Sequence, residues 1–319
     1  MKVLRGLPER PAYPEGTVVA IGNFDGLHLG HQKILRVLVN TAREMGLLSL
    51  VLTFSPHPER VLARGRIGMI QTLDQRLAGI RAAGVGSVVV ASFDRAFAGL
   101  TAAEFAGRII VSSLKAEAVV VGENFRFGKS RQGDIEDLRR LGKKLGFAVH
   151  PVPSAIRKGQ VISSSLIRRL LEGGEIAAAN DFLGRPYAIA GRVVRGSGRG
   201  RDLGFPTANV RPFNEILPGG VHITLADILG RSHPSLTNVG HRPTFGGGRL
   251  HVEVHIFDLE ATLYRRRIGL HFLRKIREEQ TFSDREALIS RVRKDIAAAR
   301  VYFKKGGAAL LEAAQNPDD

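Results

Sequence analysis

TVVAIGNFDGLHLGH, Thr17 to His31, decides how the first half of this chain reads. A strand is expected over Thr17–Gly22, apolar or β-branched up to the glycine without polar alternation, the pattern of a strand covered on both faces. Three glycines, Gly22, Gly26 and Gly30, interrupt the run, and a helical apolar period starts at His31. Such a strand, turn and helix lets backbone N–H groups and the positive end of a helix dipole meet at one point, which suits an anion. His28 and His31 stand three apart at that turn, where both can face one anionic group. A zinc reading finds no third ligand. Two incidental histidines on a capped helix are the bland alternative, and the glycine framing favours phosphate contact over it.

Working outward, further strands are expected at Leu48–Thr53, Ser87–Ala91 and Ala118–Val121. Helices are expected at His31–Gly46, Leu73–Gly84, Ala102–Leu114, Ile135–Leu145 and Ser164–Glu172. Strands alternating with helices predict a parallel sheet with helices on both faces. Ligands of such sheets gather at the carboxyl ends of the strands. After LGRPY, Leu183 to Tyr187, the texture changes. From Ala188 to about Arg274 come short alternating segments and many glycines, with HVEVHIF (His251–Phe257) the clearest strand, which predicts an antiparallel barrel or sandwich. A helical segment from Asp284 to about Lys304 closes that part. With 319 residues, two domains are expected: 1–186 and 187–305, followed by a tail at 306–319.

Composition narrows the class. The chain has no cysteine, which excludes disulfides, thiolate zinc sites and cysteine nucleophiles and fits a cytoplasmic location. It carries 47 Lys and Arg against 30 Asp and Glu, a formal charge of +17. That excess suits anionic substrates or nucleic acid, but the basic residues are scattered rather than grouped in a stripe. No run reaches the ~18 apolar residues of a membrane span, and the start has no apolar signal-peptide core.

Three further segments carry chemistry in the first half. VGENFRFGKS (Val121–Ser130) looks like a phosphate-binding P-loop, but position 123 holds Glu123 where glycine is required, so it is not one. Asn124 and Arg126 can still reach a nucleotide from a strand end. ISSSLIR (Ile162–Arg168) places three hydroxyls before a helix. One of them is accounted for as an N-cap; three with Arg168 behind them suit a second anion site. TFSPHP (Thr53–Pro58) ends another strand and would line the same crevice.

In the second half GRVVRGSGRGRDLGFPTAN (Gly191–Asn209) is the most informative segment. Gly196, Gly198, Gly200 and Gly204 make a loop able to wrap phosphates with backbone N–H groups, although a flexible hairpin would show the same glycines. Thr207 and Asn209 offer hard oxygen donors of the kind Mg²⁺ takes. His251 and His255 flank Glu253 on one strand face, which makes a His/Glu/His metal site conceivable.

The motifs together resemble the bifunctional riboflavin kinase/FAD synthetase family. The first half matches through G-N-F-D-G-x-H-x-G-H, T-F-x-P-H-P, G-E-N-F-x-F-G and I-S-S-S-x-I-R in family order. The second matches through the Gly191–Asn209 segment, NVGHRPTF (Asn238–Phe245), VEVH (Val252–His255) and REEQTF (Arg277–Phe282). The resemblance implies a Rossmann-like nucleotidyltransferase domain, then a small antiparallel β-barrel with a C-terminal helix. It implies phosphorylation of riboflavin to FMN and adenylyl transfer from ATP to FMN, giving FAD and pyrophosphate, with Mg²⁺. Small-molecule substrates follow from it, and no nucleic-acid, membrane or obligatory protein partner. His28, His31 and Arg168 then act on the adenylyl-transfer phosphates, with Gly22, Phe24, Asp25, Gly26, Gly30, Asn124, Ser164 and Ser165 holding the nucleotide. Phe54, Pro56, His57 and Arg277 fall at flavin positions. Gly196, Gly198, Gly200, Thr207 and Asn209 hold the kinase ATP, Thr207 and Asn209 also taking the metal, and Glu253 is the general base. Three positions depart from the family: His222 stands where tyrosine is common, Arg195 where histidine is, and Arg265 where glycine is.

Overall fold

The computed structural model describes residues 1–8, 13, 15–62, 67–196, 200, 203–228, 230–241, 250–259 and 261–307. Two compact units divide the chain, Met1–Ser164 and Ser165–Asp319.

In the first unit, strands β1 (Lys2–Arg5), β2 (Thr17–Ile21), β3 (Leu48–Phe54), β4 (Ser87–Ala91), β5 (Ala116–Gly122) and β6 (Ala148–Val152) form one parallel sheet ordered β1-β4-β3-β2-β5-β6. Alternate residues feed opposite cores. Val19, Ile21, Leu50, Leu52, Val89 and Val119 face one apolar cluster, while Val18, Ala20, Val51, Val88, Ala118 and Val120 face the other. This two-sided burial is why the strands read as unbroken apolar runs. Helices Leu29–Glu44, Leu73–Ala82 and Ile135–Leu145 pack around the sheet. A two-stranded hairpin, β7 (Ile156–Arg157) with β8 (Gln160–Val161), precedes the helix Ser164–Glu172.

One expected helix has a different form. Over Ala102–Leu114 a single α-turn, Ala102–Glu104, is closed by a Thr101/Glu104 capping box and continues as a π-helix, Phe105–Ser113. Ser112 and Ser113 hydroxyls donate to the carbonyl oxygens of Gly107 and Arg108, five residues back. The buried set Phe105, Ala106, Ile109 and Ile110 suits either winding, so apolar spacing could not tell them apart.

In the second unit, β9 (Tyr187–Val194), β10 (Ala208–Pro212), β11 (Gly220–Ile228), β12 (Arg231–His241), β13 (Leu250–Ile256) and β14 (Arg267–Arg277) close into an antiparallel barrel ordered β10-β13-β12-β11-β14-β9. Tyr187, Ile189 and Val193 of β9 and Val252, Val254 and Ile256 of β13 point inward. The residues between them, Glu253 included, therefore point outward. Helix Arg285–Tyr302 is the C-terminal helix expected. Helix Ile176–Leu183 lies on the barrel: Asn180 donates to the Phe272 carbonyl and accepts from the Tyr187 N–H.

His222 on β11 is fully buried, edge-on to Phe272 at 5.1 Å, with Nε2 3.1 Å from the carbonyl oxygens of Pro218 and Gly219. Its Nδ1 is buried with no hydrogen-bond partner among the described residues. Burial lowers its pKa from 6.5 to about 4 against the two carbonyl hydrogen bonds, which favour the protonated ring. The unfolded chain therefore binds this proton from about pH 6.5 downward while the folded chain refuses it until about pH 4. Stability is complete above that window and falls with pH through it, by a total of about 3 kcal/mol. Urea unfolding of wild type and His222→Gln at pH 7 and pH 4.5 tests this. Between those two pH values the wild type loses ~2 kcal/mol or more in excess of the loss seen with His222→Gln; equal pH dependence in the two proteins contradicts the assignment.

Candidate functional site

In the parallel sheet β3, β2 and β5 are neighbours, so their carboxyl ends lie side by side. The turn after β2 is held in an unusual conformation, with Phe24, Gly26 and Leu27 at φ of 52°, 88° and 40°. Left-handed backbone at non-glycine residues costs about 1–2 kcal/mol each, which the surroundings must supply. They do so by burial: Phe24 and Leu27 sit in the core, and Asp25 is inaccessible to solvent. The Asp25 carboxylate accepts the backbone N–H groups of Ile70 and Gln71 at 3.2 Å, and the Ser164 hydroxyl donates to the Asp25 carbonyl at 2.8 Å. Ser164 is thus brought to the turn. Ser165 and Arg168 follow on the same helix, in the second compact unit, and Arg168 is buried.

His28 is the N-cap of helix Leu29–Glu44, its Nδ1 accepting from the His31 N–H at 3.3 Å. The two imidazoles stack with centroids 3.7 Å apart, and the Phe24 ring lies 5.2 Å from His31. A Cβ at Gly30 would stand 3.1 Å from the His28 ring, and one at Gly22 would stand 3.2 Å from the Phe24 ring. Gly22 and Gly30 therefore serve packing against the turn's own side chains.

The loop after β3 carries the cis Ser55–Pro56 peptide. Phe54 packs edge-on against Phe93 and Phe97, at 5.6 and 5.5 Å, as part of the core. Pro56 is exposed, and the buried His57 ring accepts the Glu59 N–H through Nδ1. After β5, Asn124 is exposed and its amide donates to the Ser154 hydroxyl at 3.0 Å. Glu123 accepts the Ser154 N–H, and hydrogen bonding from the Ser154 side chain and then its backbone holds the Glu123 carboxyl below the usual range.

Two residues at these strand ends carried no signal in the sequence. Arg76, on helix Leu73–Ala82, is buried and donates to the Asn23 carbonyl, the Thr53 hydroxyl and the Phe54 carbonyl. Ser154 is the partner of both Glu123 and Asn124. A lone arginine in a helical pattern and a serine after a strand look like surface residues until the fold buries or pairs them.

In the barrel, Glu253 of β13 lies opposite Asn209 of β10 on one side and opposite Asn238 of β12 on the other. Directly opposed residues of antiparallel strands hold their Cβ atoms about 4.5–5.5 Å apart on the same face. The three form a half-buried polar row on the outer face. Gly196 and Gly200 line the same place: a Cβ on Gly196 would stand 2.0 Å from the Asn209 Nδ2, and one on Gly200 2.7 Å from the Thr207 Oγ1. Beside this row is a cleft of ≈330 Å³ between Val193, Gly196, Thr207, Asn209, Val254 and Leu263. Its walls are apolar on the barrel side and polar at Thr207 and Asn209. Gly198 lies outside the described residues, as do residues 242–245 and 308–319.

The remaining candidates have other partners. Arg277 is held by Asp295 of the C-terminal helix at 2.8 Å, with both side chains nearly inaccessible, and its guanidinium lies 5.8 Å from the Phe282 ring centroid. The His255 Nδ1 lies 2.9 Å from the Pro206 carbonyl oxygen. Among the described residues no group of three His, Asp or Glu side chains could hold a metal ion, so the structure does not provide the His/Glu/His site conceivable from the sequence. Arg265 adopts φ 66°, a left-handed backbone that favours glycine.

Comparison with known proteins agrees with both halves. The FAD synthetase family model matches residues 10–166 and the riboflavin kinase family model matches residues 183–303. The bifunctional riboflavin kinase/FMN adenylyltransferase of Pseudomonas fluorescens is 39% identical over 302 residues, covering 94% of this chain and 97% of the relative. That of Escherichia coli K12 is 37% identical over 309 residues, covering 95% and 98%. A crystal structure named macrolide-efflux protein, from Streptococcus pneumoniae, superposes with a TM-score of 0.87 at 29% identity, covering 94% of this chain and 99% of that one. Among the described residues, no helix is long and apolar enough to cross a membrane. The chain belongs to the bifunctional riboflavin kinase/FMN adenylyltransferase family of enzymes, with an FAD synthetase region ahead of a riboflavin kinase region.

Proposed function

We propose that this chain converts riboflavin to FMN in its barrel (kinase domain 187–305) and FMN to FAD in its parallel-sheet domain (1–186), using one ATP in each step. The observation that carries the kinase half is the register that sets Glu253 against Asn209 beside the glycine-lined cleft. ATP enters that cleft, its base against the apolar wall and its phosphates toward Gly196, Gly198 and Gly200. The Glu253 carboxylate takes the proton of the riboflavin 5′-hydroxyl as that oxygen attacks the γ-phosphorus, and ADP leaves. Thr207 and Asn209 would hold Mg²⁺: two hard neutral oxygens leave the other positions for phosphate and water, the arrangement this ion favours. Bound there, it would neutralise phosphate charge.

In the sheet domain the nucleophile is the FMN phosphate, already anionic, so no general base is required. A phosphate oxygen attacks the α-phosphorus of ATP, the bond to the β-phosphate breaks and pyrophosphate leaves. His28 and His31 face the charge that develops, with the backbone of Gly22, Phe24, Asp25, Gly26 and Gly30 shaping the turn around them. Asn124, Ser164, Ser165 and Arg168 hold the nucleotide, and Phe54, Pro56 and His57 border the flavin. Arg277 stands at the flavin side of the kinase reaction. These substrates are small molecules, and the reading calls for a cytoplasmic enzyme without nucleic-acid, membrane or obligatory protein partner.

The test is incubation of the purified chain with riboflavin, ATP and Mg²⁺, with flavins resolved by chromatography. FMN appears first and FAD follows, and FMN supplied directly gives FAD with equimolar pyrophosphate. Absence of both products overturns the reading.

A further inference from the structure

At the carboxyl ends of β2 and β3 a buried arginine and a buried aspartate each bond backbone groups of the segment that carries the other. The Arg76 Nη1 donates to the Asn23 carbonyl at 2.6 Å and the Thr53 hydroxyl at 3.3 Å, while its Nη2 donates to the Phe54 carbonyl at 3.3 Å. The Thr53 hydroxyl itself donates to the Asn23 carbonyl at 3.1 Å. In the other direction the Asp25 carboxylate accepts the N–H groups of Ile70 and Gln71, which lead into the helix that carries Arg76. That helix is anchored at its start by a Thr72/Gln75 capping box, so its first turn is a rigid base for the guanidinium.

We propose that Arg76 is a positioning residue for adenylyl transfer, fixing the distance between the phosphate turn Gly22–His31 and the flavin loop Phe54–His57. The inference rests on the adenylyltransferase reading above. Three features support it. Only 5% of the side chain is exposed, so a charged group has been taken out of water at a cost that surface pairing would not require. The hydrogen bonds of its two Nη atoms end on the turn and on β3, one fork bridging two segments that lie on different sides of the proposed reaction. Lysine offers no such fork: a single ammonium lacks the planar spread needed to reach all three acceptors. Arg76 does not touch the reactants in this scheme. It acts by setting where the flavin phosphate stands relative to the α-phosphorus, and misplacement by about 1 Å costs on the order of 10²-fold in rate.

The experiment measures both activities of the full-length chain, wild type and variants, with Mg²⁺ and ATP. Wild-type conversion of FMN to FAD is established first; if it is absent, the adenylyltransferase reading falls and this proposal with it. With wild-type FAD formation in hand, Arg76→Gln lowers kcat for FAD formation about 10²-fold while KM for ATP and for FMN stays within about threefold. Arg76→Lys recovers about tenfold of that loss. Riboflavin phosphorylation by the same molecules is unchanged. The proposal is overturned if Arg76→Gln keeps kcat within threefold of wild type, if the loss lies in KM alone, or if lysine is no better than glutamine. Should Arg76→Gln leave the sheet domain unfolded, Thr53→Val decides: a fall of about fivefold or more in kcat at unchanged KM supports the proposal, and a smaller fall overturns it.

Discussion

Glu253→Gln stops FMN formation from riboflavin and leaves FAD formation from FMN at the wild-type rate. Glutamine keeps the size and hydrogen-bonding reach of glutamate, so the polar row with Asn209 and Asn238 persists and the barrel stays folded. What disappears is the capacity to accept a proton. Riboflavin's hydroxyl is a poor nucleophile until deprotonated, and loss of a positioned general base costs about 10²–10⁴-fold in kcat, or ~3–5 kcal/mol of barrier. Steady-state assays of the two half-reactions on one preparation check this. Equal loss of both activities, or riboflavin phosphorylation that stays within threefold of wild type, contradicts the assignment of Glu253.

His31→Ala has the opposite signature: FAD formation from FMN falls about 10²–10³-fold and FMN formation from riboflavin is untouched. His31 rather than His28 is the informative position. The His28 side chain also caps helix Leu29–Glu44, so its removal mixes a chemical loss with about 1 kcal/mol of helix stability. His31 contributes its backbone N–H to that cap, and alanine retains it. Because the two rings stack, the double variant is expected to lose less than the sum of the singles. Kinetics of both half-reactions again provide the control. Loss confined to KM for ATP would make His31 a ground-state contact instead of a group that meets the developing charge.

The strands legible in the sequence were the four central ones of the parallel sheet, β2, β3, β4 and β5. Burial on both faces imposes apolar residues at nearly every position, and that is a signal local sequence carries. The edge strands β1 and β6 were not legible, since each is only partly covered and shows mixed exposure. The barrel was readable through the alternation of β13, where inward valines bracket Glu253. The winding of Phe105–Ser113 was hidden because its apolar spacing serves two helix types.

The candidate site divides the same way. Glycine-framed turns, a histidine pair and the Thr207/Asn209 pair can be read in a line of sequence because each motif packs several chemical requirements into a few neighbouring residues. Sequence alone therefore determined the two-part architecture, the family and the turns where phosphates are expected. Tertiary structure alone decided that Asn209 and Asn238 border Glu253, that Asp295 holds Arg277, and that Arg76 reaches Asn23, Thr53 and Phe54 together. The reason is separation along the chain: strand register and helix packing bring these partners within a few ångströms across 15 to 53 residues, and a pairing at that range leaves no periodic or local trace in the sequence itself.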